Sequence, residues 1–264
     1  MAILKESWQL LTKPGSIVIK EGYDNVKKSI IVMEPFERGF GDTLGNALRR
    51  VLLSSVAGFA VTSIKIEGVL HEYSSVEGVK EDVIDIIMNI KSLAITKEDS
   101  SPFVIKLSAN KPGPVYAGAI DLPAGVEIIN KDLVICTLNK GAKIDMQMNV
   151  DSGKGYVVAD QSKKTERGVG AIMIDSVFSP VKRVTYKVEN ARVGQITDYD
   201  KLILEIDTDG SIVPQDALGV AAKILQEQLQ IFINFDISKV DVPAQKEVDI
   251  EPEFNKNLLK TIDE

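Results

Sequence analysis

Several groups of residues have types and spacing that could do chemistry. His71, the single histidine of the chain, sits beside Glu72, and together they carry the elements of a general acid–base couple. Adjacent residues in a strand or turn point apart, so the two do not converge on one reacting atom, and a structural histidine is the favoured reading. Glu81 and Asp85 stand four apart with Asp82 beside them, which would put two carboxylates on one helix face within reach of a metal ion. A solvated helix face has the same spacing, and that reading is preferred. Gly153-Lys154-Gly155 has neither the length nor the terminal Lys-Ser/Thr of a phosphate-binding loop. Cys136, the single cysteine, lies in an apolar run and reads as buried and inert. One cysteine and one histidine also exclude an internal disulfide and a zinc-finger type of site. No nucleophile, base and orienting group come together.

One constellation is of another kind. The stretch 34–55, EPFERGFGDTLGNALRRVLLSS, has apolar residues at Leu44, Ala47, Leu48, Val51 and Leu52, the i, i+3, i+4, i+7, i+8 stripe of an amphipathic helix. Asp42 or Thr43 is the expected N-cap. On the opposite face Asn46, Arg50 and Leu53 fall together, with Arg49 at the edge. A solvated face would carry Glu, Lys or Gln, whereas Asn-Arg-Leu reads as a second packed side belonging to a partner chain. Gly39, Gly41 and Gly45 cost about 1 kcal/mol each inside a helix, so three near its start imply close backbone approach.

The elements around this helix follow from patterning. Residues 16–20 (SIVIK) and 28–33 (KSIIVM) read as strands, so the chain opens strand, strand, helix. Residues 183–193 and 201–207 repeat the strands, and Asp209-Gly210 supplies a turn. A helix then runs from Pro214 to about Asn234, with Leu218, Ala222, Leu225, Leu229 and Phe232 on one stripe. Ala217, Val220, Ile224 and Ile231 widen that stripe beyond a surface-helix arc, which fits equally an ordinary buried core helix and a helix packed on its own sheet and across a dimer interface. Between the two units lies a mostly β insert. It has strand-like pieces at 61–66, 103–108, 126–129, 134–138, 144–150 and 171–176, and a helix carrying Val79, Val83, Ile86, Ile87 and Ile90. Ser74 and Glu77 are read as the capping box of that helix. Polar residues 160–168 read as a mobile loop. The fold class is α+β: a discontinuous sheet-plus-two-helix dimerisation domain (1–57 and 183–240), an inserted domain (58–182) and a flexible linker or tail (241–264).

With 44% hydrophobic and 26% charged residues the composition is that of a soluble globular protein, and no apolar run approaches a membrane span. The net charge of −7 and scattered basic residues disfavour phosphate-backbone binding. A stand-alone hydrolase lacks its acid–base set, and a DNA-binding regulator lacks a helix-turn-helix. Retention on DNA at physiological salt would revive the latter. A subunit-assembly scaffold remains.

The motif at 36–55, FERGFGDTLGNALRRVLLSS, resembles the hallmark LERGFGxTLGNALRRxLLSS of the alpha subunit of bacterial DNA-directed RNA polymerase. Further stretches are similar and in the same order: GVLHEYSSVEGVKEDV (68–83), VYAGAIDLPAGVEIINKDLVIC (115–136), GKGYV (153–157), FSPVKRVTYKVENARVGQITDYDKL (178–202) and AAKILQEQL (221–229). The likeness runs from about residue 8 to the C-terminus. Asp42 falls where the family varies, and GKGYVVAD replaces a more basic GRGYVPA form.

The resemblance implies a non-catalytic subunit that dimerises, as a homodimer or with a second alpha subunit. It then scaffolds the beta and beta-prime subunits, with omega and sigma in the larger complex. It implies a beta contact at Asn46, Arg49, Arg50 and Leu53, and a beta-prime contact at Lys91, Ser176, Val177, Phe178, Ser179 and Pro180. The implied dimer seam includes Phe40, Leu44, Leu225, Leu229 and Phe232. No catalytic residue, metal or cofactor is expected on this chain, since the magnesium of the nucleotidyltransferase lies on beta-prime. The expected location is the cytoplasm, at the nucleoid as part of the polymerase, with no membrane association. DNA contact is expected mainly through a C-terminal domain that in the family follows the linker. This chain stops where that domain would begin, as a truncated chain or a short subunit.

Overall fold

A computed structural model describes residues 12, 14–21, 26–159, 170–193 and 196–233. Residues 160–168 and the tail 241–264 therefore lie outside the described residues. The chain divides into two compact units, Met1–Gln226 and Glu227–Glu264; the second is described only over the last residues of the C-terminal helix.

Alternation sets up the first layer. Strand β1 (Ser16–Glu21) pairs antiparallel with β2 (Lys28–Phe36), and helix α1 (Phe40–Ser55) follows. In β2, Ser29, Ile31 and Met33 alternate on one buried face. Far along the chain, β13 (Val181–Val193) and β14 (Ile196–Thr208) form a long antiparallel pair, and β14 completes a four-stranded sheet in the order β1-β2-β14-β13. Leu202, Leu204 and Ile206 of β14 are all fully buried. Helix α3 (Pro214–Ile233) follows the turn at Gly210, whose φ of +98° suits glycine. Leu48 and Leu52 of α1 join Ala217, Leu218 and Ala221 of α3 over Ile31, Met33 and the β14 leucines in one hydrophobic core. The two terminal units expected from the sequence thus form one sheet carrying two helices.

A second core lies wholly within residues 61–174. It is built on a sheet of order β11-β3-β9-β5, with β3 (Ala57–Ile66), β5 (Phe103–Ala109), β9 (Ile144–Lys154) and β11 (Ile172–Met173). Helix α2 (Val83–Ile90) buries Val83, Ile86 and Ile90 against it. Three short ribbons complete this part: β4 (Ile95–Lys97) with β7 (Val126–Ile128), β6 (Gly113–Tyr116) with β8 (Val134–Leu138), and β10 (Tyr156–Val157) with β12 (Ser176–Val177).

Three local expectations change. Helix α1 begins at Phe40, so Asp42 and Thr43 lie in its first turn and neither is the cap; Gly39 occupies the cap position with φ +87°. Helix α2 begins at Val83, and the Ser74 hydroxyl does not cap it but donates to the carbonyl of His71 at 2.8 Å, while the Ser74 carbonyl accepts the Val83 amide at 3.2 Å. The reason is tertiary. Gly78 takes φ +76°, the amide of Lys80 bonds the carbonyl of Thr137, and Val79 bridges Leu138, so 78–80 runs alongside β8 rather than coiling. The strand expected at 171–176 splits in two, because β11 pairs with β3 while β12 pairs with β10.

The two chain connections between the cores run side by side. A Cβ added at Gly58, where the chain leaves α1, would lie 2.2 Å from the carbonyl oxygen of Phe178, where it returns. Gly219, mid-way along exposed α3 surface, has nothing within 4 Å of its would-be Cβ. Gly58→Ala is expected to destabilise the protein by about 1–3 kcal/mol through overpacking against backbone. Gly219→Ala is expected to stabilise it by about 0.5–1 kcal/mol through helix propensity. Denaturant midpoints of the two variants check this, and equal stability of Gly58→Ala and wild type would mean that the connections do not touch.

Candidate functional site

The site begins with how close α1 can come to its sheet. Gly41 and Gly45 are buried beneath the helix. A Cβ at Gly41 would sit 2.9 Å from Val188 Cγ1 and 3.1 Å from Asp200 Oδ2, and one at Gly45 would sit 2.7 Å from the Tyr186 ring. Only glycine permits that approach. With Leu48 and Leu52 buried on the same side, the rotation of the helix leaves Asn46, Arg49 and Arg50 exposed and Leu53 36% exposed. Asn46, Arg50 and Leu53 form one row at i, i+4, i+7. Neither Arg49 nor Arg50 makes an ion pair among the described residues, whereas Arg38 pairs with Asp198 and Arg183 with Glu205 and Asp207. An unpaired guanidinium beside an exposed leucine has the chemistry of an interface anchor.

A feature the sequence reading missed holds the start of this helix. The carboxylate of Asp200, on β14, accepts hydrogen bonds from the backbone amides of Gly39 at 2.8 Å and Gly41 at 3.1 Å. It thereby satisfies donors that every helix N-terminus leaves open. The sequence carries no local signal for a partner some 160 residues away.

The second predicted set converges on an open cleft of about 360 Å³, lined by Lys91, Val177, Phe178, Ser179 and Pro180 together with Phe59, Lys182 and Asp209. Within it the residues divide by role. Ser176 is buried, with its Oγ 2.9 Å from the carbonyl of Val61 and 3.1 Å from that of Ile174, so its hydroxyl serves the fold. Phe178 and Pro180 are also buried, the Phe178 ring lying against Gly153. Val177 is 53% exposed, and Lys91 and Ser179 are half-buried. Lys91 Nζ stands 4.0 Å from Asp175 Oδ2. The amide of Ala159, then the Tyr156 hydroxyl and the charge of Lys91, hold the Asp175 carboxyl below the usual range despite a small opposing effect of desolvation.

Of the predicted dimer residues, Phe40 is exposed, Leu44 and Leu225 are half-buried at the edge of the first core, and Leu229 and Phe232 are exposed. Exposed apolar side chains not singled out from sequence are Ile17, Val18 and Ile19 on edge strand β1, and Tyr156 to Val158 beside β10. Only the sheet order reveals that β1 lies at an edge.

The candidate chemical groups resolve as structure. His71 is exposed and uses its carbonyl for Ser74. Cys136 is fully buried, and burial, followed by the nearby Glu81 charge, pushes its thiol up to about 11. Glu81 is not on a solvated helix face as expected: it precedes α2 and accepts from the Thr137 amide at 2.6 Å and hydroxyl at 2.8 Å, tying the helix entry to β8. Asp82 and Asp85 are exposed. Among the described residues no three His, Cys, Asp or Glu gather as a metal would require, and no helix is long and apolar enough to cross a membrane.

Residues 64–179 match the RNA polymerase Rpb3/RpoA insert domain. That stretch is less than half of the 264 residues and coincides with the second core and the return connection. The match supports an RNA polymerase subunit of the RpoA/Rpb3 type, with transcription as its setting. The helix-bearing sheet, with the Asn46–Leu53 face, lies outside the matched residues.

Glu81 yields a pH prediction. Burial alone would raise its pKa, but the Thr137 amide and hydroxyl, its own amide and the Lys80 charge together outweigh it and lower the value. A depressed folded-state pKa adds stability above the unfolded value, and this is lost as pH falls through the folded one. Stability is therefore expected to fall on acidification from neutral pH to about pH 3, and Glu81→Gln should flatten part of that fall. Urea midpoints across that range check it; identical pH slopes for variant and wild type would remove Glu81 from the titration.

Proposed function

We propose that this chain is the assembly part of an RNA polymerase alpha subunit: a non-catalytic chain that dimerises and then holds the beta and beta-prime subunits. The observation that carries the reading is the Asn46–Arg50–Leu53 row, exposed and without intrachain ion pairs, on a helix whose other side is locked to the sheet by glycines. In this reading 1–57 and 183–240 form the dimerisation domain, 58–182 the insert and 241–264 the linker. Asn46, Arg49, Arg50 and Leu53 face beta. Lys91 and the outward members of 176–180, above all Val177, face beta-prime, while the buried members shape the loop that presents them. Phe40, Leu44, Leu225, Leu229 and Phe232 form the dimer seam, with an identical copy or a second alpha chain opposite. The magnesium sits on beta-prime, omega and sigma join the larger complex, and the assembly works in the cytoplasm at the nucleoid. Exposed apolar side chains on α3 support the dimer, since contiguous apolar patches of several hundred Å² usually mark interfaces.

Arg50 gives the test. Intrachain packing does not use it, so Arg50→Ala should change stability by at most about 0.5 kcal/mol. Loss of an arginine anchor should weaken capture of beta by about thirtyfold. Leu53→Asp should act similarly by placing a charge in the same contact. Titration of purified beta with wild-type and variant chains, sized by light scattering, reads both effects. Undiminished capture by folded Arg50→Ala and Leu53→Asp would remove this face from the beta contact. A wild-type particle of 28.8 kDa at micromolar concentration would overturn the dimer.

A further inference from the structure

We propose that Asp200 is a positioning residue for the beta-docking face: by clamping the first turn of α1 to β14, it sets where Arg50 and Leu53 are presented. The inference rests on the docking reading above and concerns a residue outside the docking surface.

The glycines beneath α1 explain how close the helix lies but not how it is kept from moving. Gly41 meets Val188 and Asp200, and Gly45 meets the Tyr186 ring and Leu202. The glycine contacts themselves carry no side chain from the helix that could interlock with the strands. Leu48 and Leu52 fix the rotation of the helix and anchor its middle and far end, whereas Leu44, nearer the start, is only half-buried. The near end needs its own fixture.

Asp200 supplies it. Its carboxylate oxygen takes the amides of both Gly39 and Gly41, and the residue is 8% exposed. A cap drawn from the helix's own chain travels with the helix and stabilises it without locating it. Asp200 belongs instead to β14, two residues before fully buried Leu202, so its bonds fix the helix start relative to the sheet. A register shift delivers it there: Asp200 pairs with Phe36 but Leu202 with Met33, so the two-residue advance on β14 spans three on β2. A negative charge at a helix N-terminus is also favoured by the helix dipole. Arg38 and Asp198, 3.6 Å apart, lie beside the clamp but are largely exposed and screened.

The test measures beta affinity of the full-length dimer with Asp200→Ala, Asp200→Asn, Arg50→Ala and the double variant Asp200→Ala/Arg50→Ala. Asp200→Ala is expected to fold and dimerise but to bind beta about tenfold more weakly. Asp200→Asn keeps an acceptor oxygen and loses the charge, so it should recover most of the affinity, remaining within about threefold of wild type. Because Asp200 acts through the Arg50 face, the double variant should bind nearly as Arg50→Ala does, a non-additivity that general loss of stability would not produce. If Asp200→Ala does not fold, Asp200→Leu replaces it, since a near-isosteric apolar side chain fills the same space and offers the amides no acceptor. Wild-type beta affinity in a folded Asp200→Ala or Asp200→Leu dimer overturns the proposal, as does a double variant whose losses simply add. Weak capture by Arg50→Ala alongside normal capture by Asp200→Ala would refute the positioning role and leave the docking face standing. Normal capture by Arg50→Ala would remove the face itself and this role with it.

Discussion

At Gly41 and Gly45 the backbone of α1 comes so near β13 and β14 that a hydrogen atom fits and a methyl group does not. The placement of both faces of the helix depends on that contact. It pulls Leu48 and Leu52 into the core shared with α3, which fixes the inward side of the helix and hence the outward one. It also brings the first helical amides within reach of a strand carboxylate that would otherwise be buried without a partner, an arrangement costly for any charge. Each part requires the other: without close approach Asp200 has no donors, and without Asp200 the helix start has no acceptor.

The remainder of the chain is arranged so that this unit and the insert do not share a core. The helix-bearing sheet draws its interior from residues on both sides of the insert, whereas the insert closes its own around α2 and the sheet centred on β3 and β9. Interior polar groups are spent on holding these pieces in register. Glu81 ties the entry of α2 to β8, and the Ser176 hydroxyl bridges β12 to β3. Glu81, which reads in sequence as a member of an acidic cluster, is thus a structural fastener.

Much of this was legible from residue order. Strand alternation in 28–33 and 201–207 follows from a sheet with one buried face, and the α1 stripe follows from helical period, so both survive translation into three dimensions. The glycine pattern signalled close approach without naming what was approached. What escaped was anything set by partners distant in sequence. Asp42 and Thr43 are good caps by type, yet Asp200 reached the helix first, and Ser74 lost its capping role because Lys80 found an acceptor on β8. The sequence singles out residues 176–180 only as a block, whereas their division into buried Ser176, Phe178 and Pro180 and outward Val177 depends on which strand each meets. Edge position, which exposes Ile17 and Ile19, is a property of sheet order and has no local signature.

The crowded passage of Gly58 beneath the Phe178 carbonyl has one more consequence. Because the chain departs and returns through adjacent points, the whole insert behaves topologically as a long surface loop of the helix-bearing sheet. Closing such a loop costs entropy that grows only with the logarithm of its length, so lengthening or trimming the insert perturbs the sheet by fractions of a kcal/mol as long as the two crossing strands stay in place. The narrow neck, rather than the size of what hangs from it, is what evolution or an engineer would have to preserve in order to graft a different module onto the same helix-bearing sheet.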